Sequence, residues 1–328
     1  MNYRKLGKTN LDISEISLGT WQVGGKWGSD FSFKNAENII KTAIDNGINF
    51  IDTADVYSDG LSEKVVGEIV RSSNEEVYIA TKCGRQLNPH TNNAYTTAAL
   101  RKFVEDSLTN LGLDRIDLIQ LHCPPTEVYN RPEIFGLFDD LTKEGKIRNY
   151  GVSVEKVDEA LKAIEFNGVS TVQIIFNMFR QKPNALFFNE AKQKNVGIIA
   201  RVPLASGLLT GKFNTDTTFG KEDHRFFNRK GEAFDKGETF SGIDYNLGLQ
   251  AVAALKTIFN EDENLVHKAL QWILTFNEIS CVIPGASSTD QLLSNIKTNN
   301  AKPISKEQLT QVKTIYDTYI KEEVHHLW

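Results

Sequence analysis

Gly47-Ile48-Asn49-Phe50-Ile51-Asp52-Thr53-Ala54-Asp55-Val56-Tyr57 opens on a glycine, passes through a short apolar run and ends on carboxylates, a hydroxyl and a phenol. Upstream, Lys34 to Asn46 carries apolar residues at helical spacing, so the stretch reads as helix, stop, strand and polar strand end. A parallel strand buried on both faces tolerates such polar groups best where it ends and the next loop begins.

The same unit recurs along the chain. Strands are expected at Ile16 to Leu18, Asn49 to Ile51, Val77 to Thr81 and Asp117 to Leu121, then at Ile147 to Val152, Thr171 to Phe176, Gly197 to Val202 and Cys281 to Ile283. Between them lie amphipathic stretches such as Ser62 to Arg71, Thr97 to Leu111 and Pro132 to Glu144, with Gly112 and Gly145 as stop signals. Eight βα units suggest an α/β fold, a (β/α)8 TIM barrel, although periodicity alone does not distinguish a closed barrel from an open doubly wound sheet. Tyr3 to Leu6 and Leu11 to Ser14 flank Gly7-Lys8-Thr9-Asn10 as an N-terminal β-hairpin plug. C-terminal helices are expected at Asp290 to Ile296 and Lys306 to Ile320, and Leu204 to Asn246, which has no clean period, reads as a long functional loop. With no linker and no repeat, residues 1–328 read as a single domain.

Composition narrows the function. The chain has 40% hydrophobic and 24% charged residues and a net charge of −5, with no Lys/Arg-rich block, so neither nucleic acid nor an anionic membrane is an expected partner. No apolar run is long enough to span a membrane, and the first residues carry no apolar leader core, so a cytoplasmic location is expected. Cys83, Cys123 and Cys281 are odd in number and widely spaced, encoding neither a disulfide framework nor a zinc site. Small molecules remain as partners, and no feature sets an oligomeric state.

If the barrel forms, strand ends bring Asp52, Tyr57, Lys82 and His122 to one mouth. That set suits carbonyl reduction without a metal. Hydride arriving at a carbonyl carbon leaves charge on oxygen, which a tyrosine hydroxyl can protonate. A lysine beside the phenol lowers its pKa, and a buried aspartate anchors the lysine. His122 would donate a hydrogen bond to the substrate oxygen. Singly, each has a structural explanation: helix capping for Asp52, solvent exposure for Lys82, packing for His122.

Residues 47–57, followed by Gly60, Ser62-Glu63 and Gly67, resemble the aldo-keto reductase superfamily signature. Thr81-Lys82, Leu121-His122, Gly151-Val152-Ser153, Gln173, the segment from Pro203 to Lys212, and Ile283-Pro284-Gly285-Ala286-Ser287 follow in the family's order. The resemblance implies an NAD(P)H-dependent oxidoreductase acting on an aldehyde or ketone, such as a sugar or keto-acid, with Asp52, Tyr57, Lys82 and His122 as its catalytic tetrad. It implies NADPH as cofactor, with NADH open, because Ser287-Ser288 stands where many relatives carry a cation for the 2'-phosphate. Cofactor contacts are expected from Thr20, Ser153, Gln173 and Arg201, from Leu204, Gly207, Leu208, Gly211 and Lys212, and from Gly285, Ser287, Gln291 and Asn295. Amides around Gly207 and Gly211 are expected at the pyrophosphate. Val154 replaces the asparagine common after the serine, and Arg201 replaces an aromatic ring. Trp21, Trp27 and Tyr129 are candidates for the substrate wall.

Competing readings are a glycoside hydrolase using Asp52 and Asp55, and a cofactor-binding regulatory protein with the reductase fold and little turnover. Gly207 to Lys212 fails as a phosphate-binding P-loop, because Phe213 stands where the Ser/Thr should be.

Overall fold

The computed structural model describes residues 1–25, 28–259 and 263–328. Eight parallel strands form one sheet: β3 (Leu18–Gly19), β4 (Phe50–Asp52), β5 (Tyr78–Cys83), β6 (Ile116–His122), β7 (Ile147–Val154), β8 (Val169–Ile175), β9 (Gly197–Arg201) and β10 (Ile279–Val282). They pair in chain order from β3 to β10. Parallel bridges from Ile16 to Val282 and from Gly19 to Gly285 join the sheet's two edges, so the sequence's eight strands close as a barrel.

Side-chain alternation sorts the strands into two faces. Ile51, Ile79, Ile119, Val152, Val172 and Ile198 point outward into the main core beneath the helices. Phe50, Ala80, Leu118, Ile199 and Cys281 form a separate inner cluster with Leu6, Leu11 and Ile13. Those last residues belong to the N-terminal hairpin, β1 (Tyr3–Lys5) and β2 (Asp12–Ser14), which pairs Tyr3 with Ser14 and Lys5 with Asp12. The hairpin packs under the strand starts, where Arg4 donates to the Ile279 and Leu274 carbonyls, both at 2.8 Å. Two residues beyond Phe50, Ala80, Leu118 and Ile199, the inner face turns polar with Asp52, Lys82, Gln120 and Arg201, whereas Ile283 keeps it apolar after Cys281.

Helices follow the strands as the pattern requires: α1 (Phe33–Asp45), α2 (Leu61–Ser72), α3 (Thr97–Leu111), α4 (Pro132–Lys143), α5 (Val157–Ala163) and α6 (Phe187–Gln193). The Ser32 side chain caps α1, Thr96 caps α3 and Gly112 ends α3. The loop after β9 contains the short helix α7 (His224–Phe227) and runs into α8 (Tyr245–Ile258), a helix not anticipated from the sequence. Its buried Ala251, Val252 and Leu255 are flanked by partly buried Leu249 and Ile258, so no sharp apolar stripe announces it. Next come α9 (Leu265–Leu274) and, after β10, α10 (Thr289–Ile296). The expected helix from Lys306 to Ile320 is divided into α11 (Lys306–Ile315) and a π-helical turn over Tyr316–Ile320, followed by α12 (Lys321–Val324). Among the described residues, no helix is long and apolar enough to cross a membrane.

Candidate active site

The polar inner layer opens into a cleft of about 700 Å³ at the C-terminal ends of the strands, a volume suited to a small-molecule ligand. Asp52, Tyr57 and His122 line it, and Lys82 lies directly behind them, 1% exposed. The Lys82 ammonium donates to the Asp52 carboxylate, to the Thr53 carbonyl at 2.8 Å and to the Tyr57 hydroxyl at 3.2 Å. Asp52 also accepts from Gln173 at 2.7 Å and from Gln120 at 3.2 Å. The His122 ring lies edge-on to Tyr57, with centroids 6.0 Å apart. Trp21 stacks with Tyr57, their centroids 6.2 Å apart.

Electrostatics refine the sequence expectation. Burial pushes the Tyr57 phenol up, the Lys82 ammonium pulls it down, and the balance stands above the ordinary tyrosine value rather than below it. Burial draws Lys82 down, but Asp52 and Tyr57 more than offset this and hold it above its usual range. Burial, reinforced by Arg85, Lys82 and Arg201, holds His122 well below the usual imidazole value, so it is neutral at pH 7. Its Nδ1 is buried without a hydrogen-bond partner. A proton there would be stranded, which favours the tautomer carrying hydrogen on Nε2.

Asp55 does not share this environment. It is buried, it is not part of the cleft wall, and both its oxygens lack hydrogen-bond partners. Burial and the nearby Glu63 raise its carboxyl to about 8. With Asp52 engaged by Lys82 and Asp55 out of the cleft, the paired-carboxylate arrangement of a glycosidase is not formed.

Of the expected cofactor residues, Thr20, Ser153, Gln173 and Arg201 line the reaction end of the cleft. Leu204, Gly207 and Lys212 line it further along, and Gly285, Gln291 and Asn295 belong to the wall formed after β10. Leu208 is instead packed into the core, and Gly211 lies behind the wall with its carbonyl accepting from Lys256 at 2.6 Å. The amides of Gly207 and Gly211 are already given to the carbonyls of Leu204 and Leu208, at 2.9 and 3.0 Å. The amides of these two glycines are therefore not free for the expected contacts to pyrophosphate, and the charge available along this stretch comes from the Lys212 side chain, since Arg225 is engaged by Asp223. Ser287 is also outside the wall, its hydroxyl donating to Gln291 at 3.1 Å. A long cleft with hydroxyl and amide groups at both ends and cations between them fits a nicotinamide dinucleotide.

Trp21 takes its expected place in the wall, whereas Trp27 lies outside the described residues. Tyr129 is a correction. It is completely buried beneath Ser153, with its hydroxyl 3.5 Å from that residue's carbonyl, because the turn after β6 directs its ring into the core.

Other wall residues were not singled out from the sequence. Arg85 follows β5 through Gly84, whose φ of 101° and 2.8 Å clearance to Tyr95 exclude a side chain. The strand-end rule that marked Lys82 would have reached Arg85 as well. Glu238 comes from the long loop, where no pattern marks it, and its carboxylate lies 3.2 Å from Arg201 and 3.7 Å from Arg85. Arg201 also donates to the Val154 carbonyl at 3.1 Å, so its planar group is braced across the strand ends. Cys123, Glu155 and Glu238 converge within 4.8 Å, yet the guanidiniums of Arg85 and Arg201 supply the countercharge there.

Comparison with known proteins agrees with this geometry. The chain is 29% identical over 318 residues to the uncharacterized oxidoreductase YqkF of Bacillus subtilis, covering 96% of each. It is 29% identical over 333 residues to the aldo-keto reductase YhdN of the same organism, covering 99% of this chain and 96% of that one. Among solved structures, the glycerol dehydrogenase AKR11B4 from Gluconobacter oxydans superposes with a TM-score of 0.77 at 27% identity, over 99% of this chain and 96% of that one. The model of the aldo/keto reductase family matches residues 15–317. A match of that extent, over a barrel of the same kind, means that the chain belongs to the aldo/keto reductase family and is an NAD(P)H-dependent oxidoreductase.

Proposed function

We propose that this enzyme interconverts an aldehyde or ketone and its alcohol, with Tyr57 as the proton donor and acceptor. The observation that carries the reading is the Lys82 ammonium, held between the Asp52 carboxylate and the Tyr57 hydroxyl at the floor of a cleft that also holds neutral His122. A nicotinamide held beside Ser153 and Gln173 would supply the hydride in reduction and take it up in oxidation. In reduction, Tyr57 gives its proton to the substrate oxygen. Lys82 stabilises the phenolate left behind, offsetting the burial that opposes ionisation. Asp52 keeps the ammonium charged and in place, with Gln120 and Gln173 fixing the carboxylate. His122, through Nε2–H, positions the carbonyl oxygen facing the phenol.

Ser153 and the remaining acceptor capacity of Gln173 suit the carboxamide end of the cofactor, while Lys212 suits its phosphates. The resemblance favours NADPH. Ser287 brings no charge to the adenosine end and is engaged by Gln291, so discrimination against NADH is small.

The test is a panel of aldehydes, ketones and alcohols supplied with each cofactor, read by nicotinamide absorbance. Carbonyl-dependent oxidation of NADPH, and more weakly of NADH, is expected. Tight cofactor binding without turnover on any substrate would instead favour a regulatory role.

A further inference from the structure

We propose that Arg85 makes this enzyme select carbonyl substrates that carry a carboxylate. This deepens the carbonyl-reduction reading above and rests on it. Arg85 lines the same cleft as Tyr57 and His122, and Arg85 is the leading charged neighbour acting on the His122 ring. Its guanidinium faces the cleft with 22% of the side chain exposed, 5.6 Å from the Phe234 ring centroid.

The charge balance points to an anion. Lys82 is matched by Asp52, Arg225 by Asp223 at 2.6 Å, and Arg201 by Glu238 at 3.2 Å. Arg85 is left with the same Glu238 at 3.7 Å and with Glu155 at 3.9 Å, both beyond hydrogen-bonding distance. Burial raises the Glu155 carboxyl to about 7, so near neutral pH it balances only part of a charge. A largely buried guanidinium whose donors have no close acceptor is poised for a ligand that accepts from its planar fork. A carboxylate matches that fork. A phosphate dianion matches it less well, because Glu155 and Glu238 stand close enough to repel the second charge.

The experiment compares kcat/KM for a short series of aldehyde and keto acids with their methyl esters, using wild type, Arg85→Met and Arg85→Lys. Wild type is expected to favour the acid by about ten- to a hundredfold at the best chain length. In Arg85→Met the ratio should collapse towards one, mainly through KM for the acid, and in Arg85→Lys it should be intermediate, since charge is kept but the fork is lost. As a check without substitution, an unreactive carboxylate should inhibit ester reduction by wild type competitively, and its amide should not. An acid-to-ester ratio equal in wild type and Arg85→Met, a stronger preference for phosphorylated aldehydes, or equal inhibition by carboxylate and amide would overturn the inference while leaving carbonyl reduction standing. Failure of wild type to reduce either acids or esters would sink the carbonyl-reduction reading itself.

Discussion

The Lys82 Nζ stands 3.2 Å from the Tyr57 hydroxyl and 4.9 Å from the centre of its ring, so the ammonium approaches the edge of the phenol at its oxygen. That contact couples a residue at the end of one strand to a residue in the loop after the neighbouring strand. In the folded chain, 25 positions of sequence separation become a single hydrogen bond.

Tyr57→Phe removes the proton donor and leaves the ring that stacks with Trp21. Turnover should fall by about a hundred- to ten-thousandfold while the cofactor dissociation constant changes little. Steady-state kinetics together with fluorescence titration of the cofactor measure both. An unchanged kcat would remove Tyr57 from the mechanism.

Lys82→Met leaves the Asp52 carboxylate buried without its cation, at 2% exposure. Unfolding free energy should drop by about 3–5 kcal/mol, in addition to the loss of activity. Urea denaturation provides the measurement. A variant as stable as wild type would mean that Asp52 finds sufficient compensation in Gln120 and Gln173 alone.

Stability should fall as pH rises through neutrality towards 8. Asp55 has an ordinary carboxyl value when unfolded and one of about 8 when folded, so the native state holds a proton that the unfolded chain releases. Its contribution is complete below the unfolded value and disappears as pH rises through 8. His122 works in the opposite sense, because its folded value is depressed: its contribution is present above the ordinary imidazole range and is lost as pH falls. The two offset each other between about pH 5 and pH 6, so urea midpoints should change little there, fall between about pH 6.5 and pH 8, and level off beyond. Asp55→Asn should remove the Asp55 share of that slope, which approaches about 1.4 kcal/mol per pH unit between about pH 5 and pH 7 and falls to about half of this at about pH 8. The same slope in both proteins would show that Asp55 is ionised in the native state.

Ser287→Arg should shift cofactor use. A guanidinium at this position would supply the charge that the Ser287–Gln291 pair lacks. The ratio of kcat/KM for NADPH over NADH is expected to rise by about tenfold, carried by KM. A ratio that does not move would place the 2'-phosphate elsewhere.

Much of the fold was legible because its signals are local. The eight strands, the hairpin and most helices follow from periods of two or 3.6 residues, and the ends of helices follow from glycines and capping hydroxyls. Asp52, Tyr57, Lys82 and His122 were legible for a related reason, since polar groups at the end of a buried strand need a purpose within a few positions of chain. Tyr129 shows where this reasoning stops. An aromatic residue after a strand has the same local signature whether it faces a cleft or the core, and only the turn that carries it decides.

Local pattern therefore set the elements, their order and the residues at the strand ends. Tertiary structure decided the closure of β3 against β10, the ion pair joining Glu238 of the loop to Arg201, the partial isolation of Arg85, and the net upward shift of Tyr57. The physical reason is range. Backbone preference and side-chain periodicity act between neighbours in sequence, whereas burial and Coulomb interaction sum over everything nearby in space, whatever its distance along the chain.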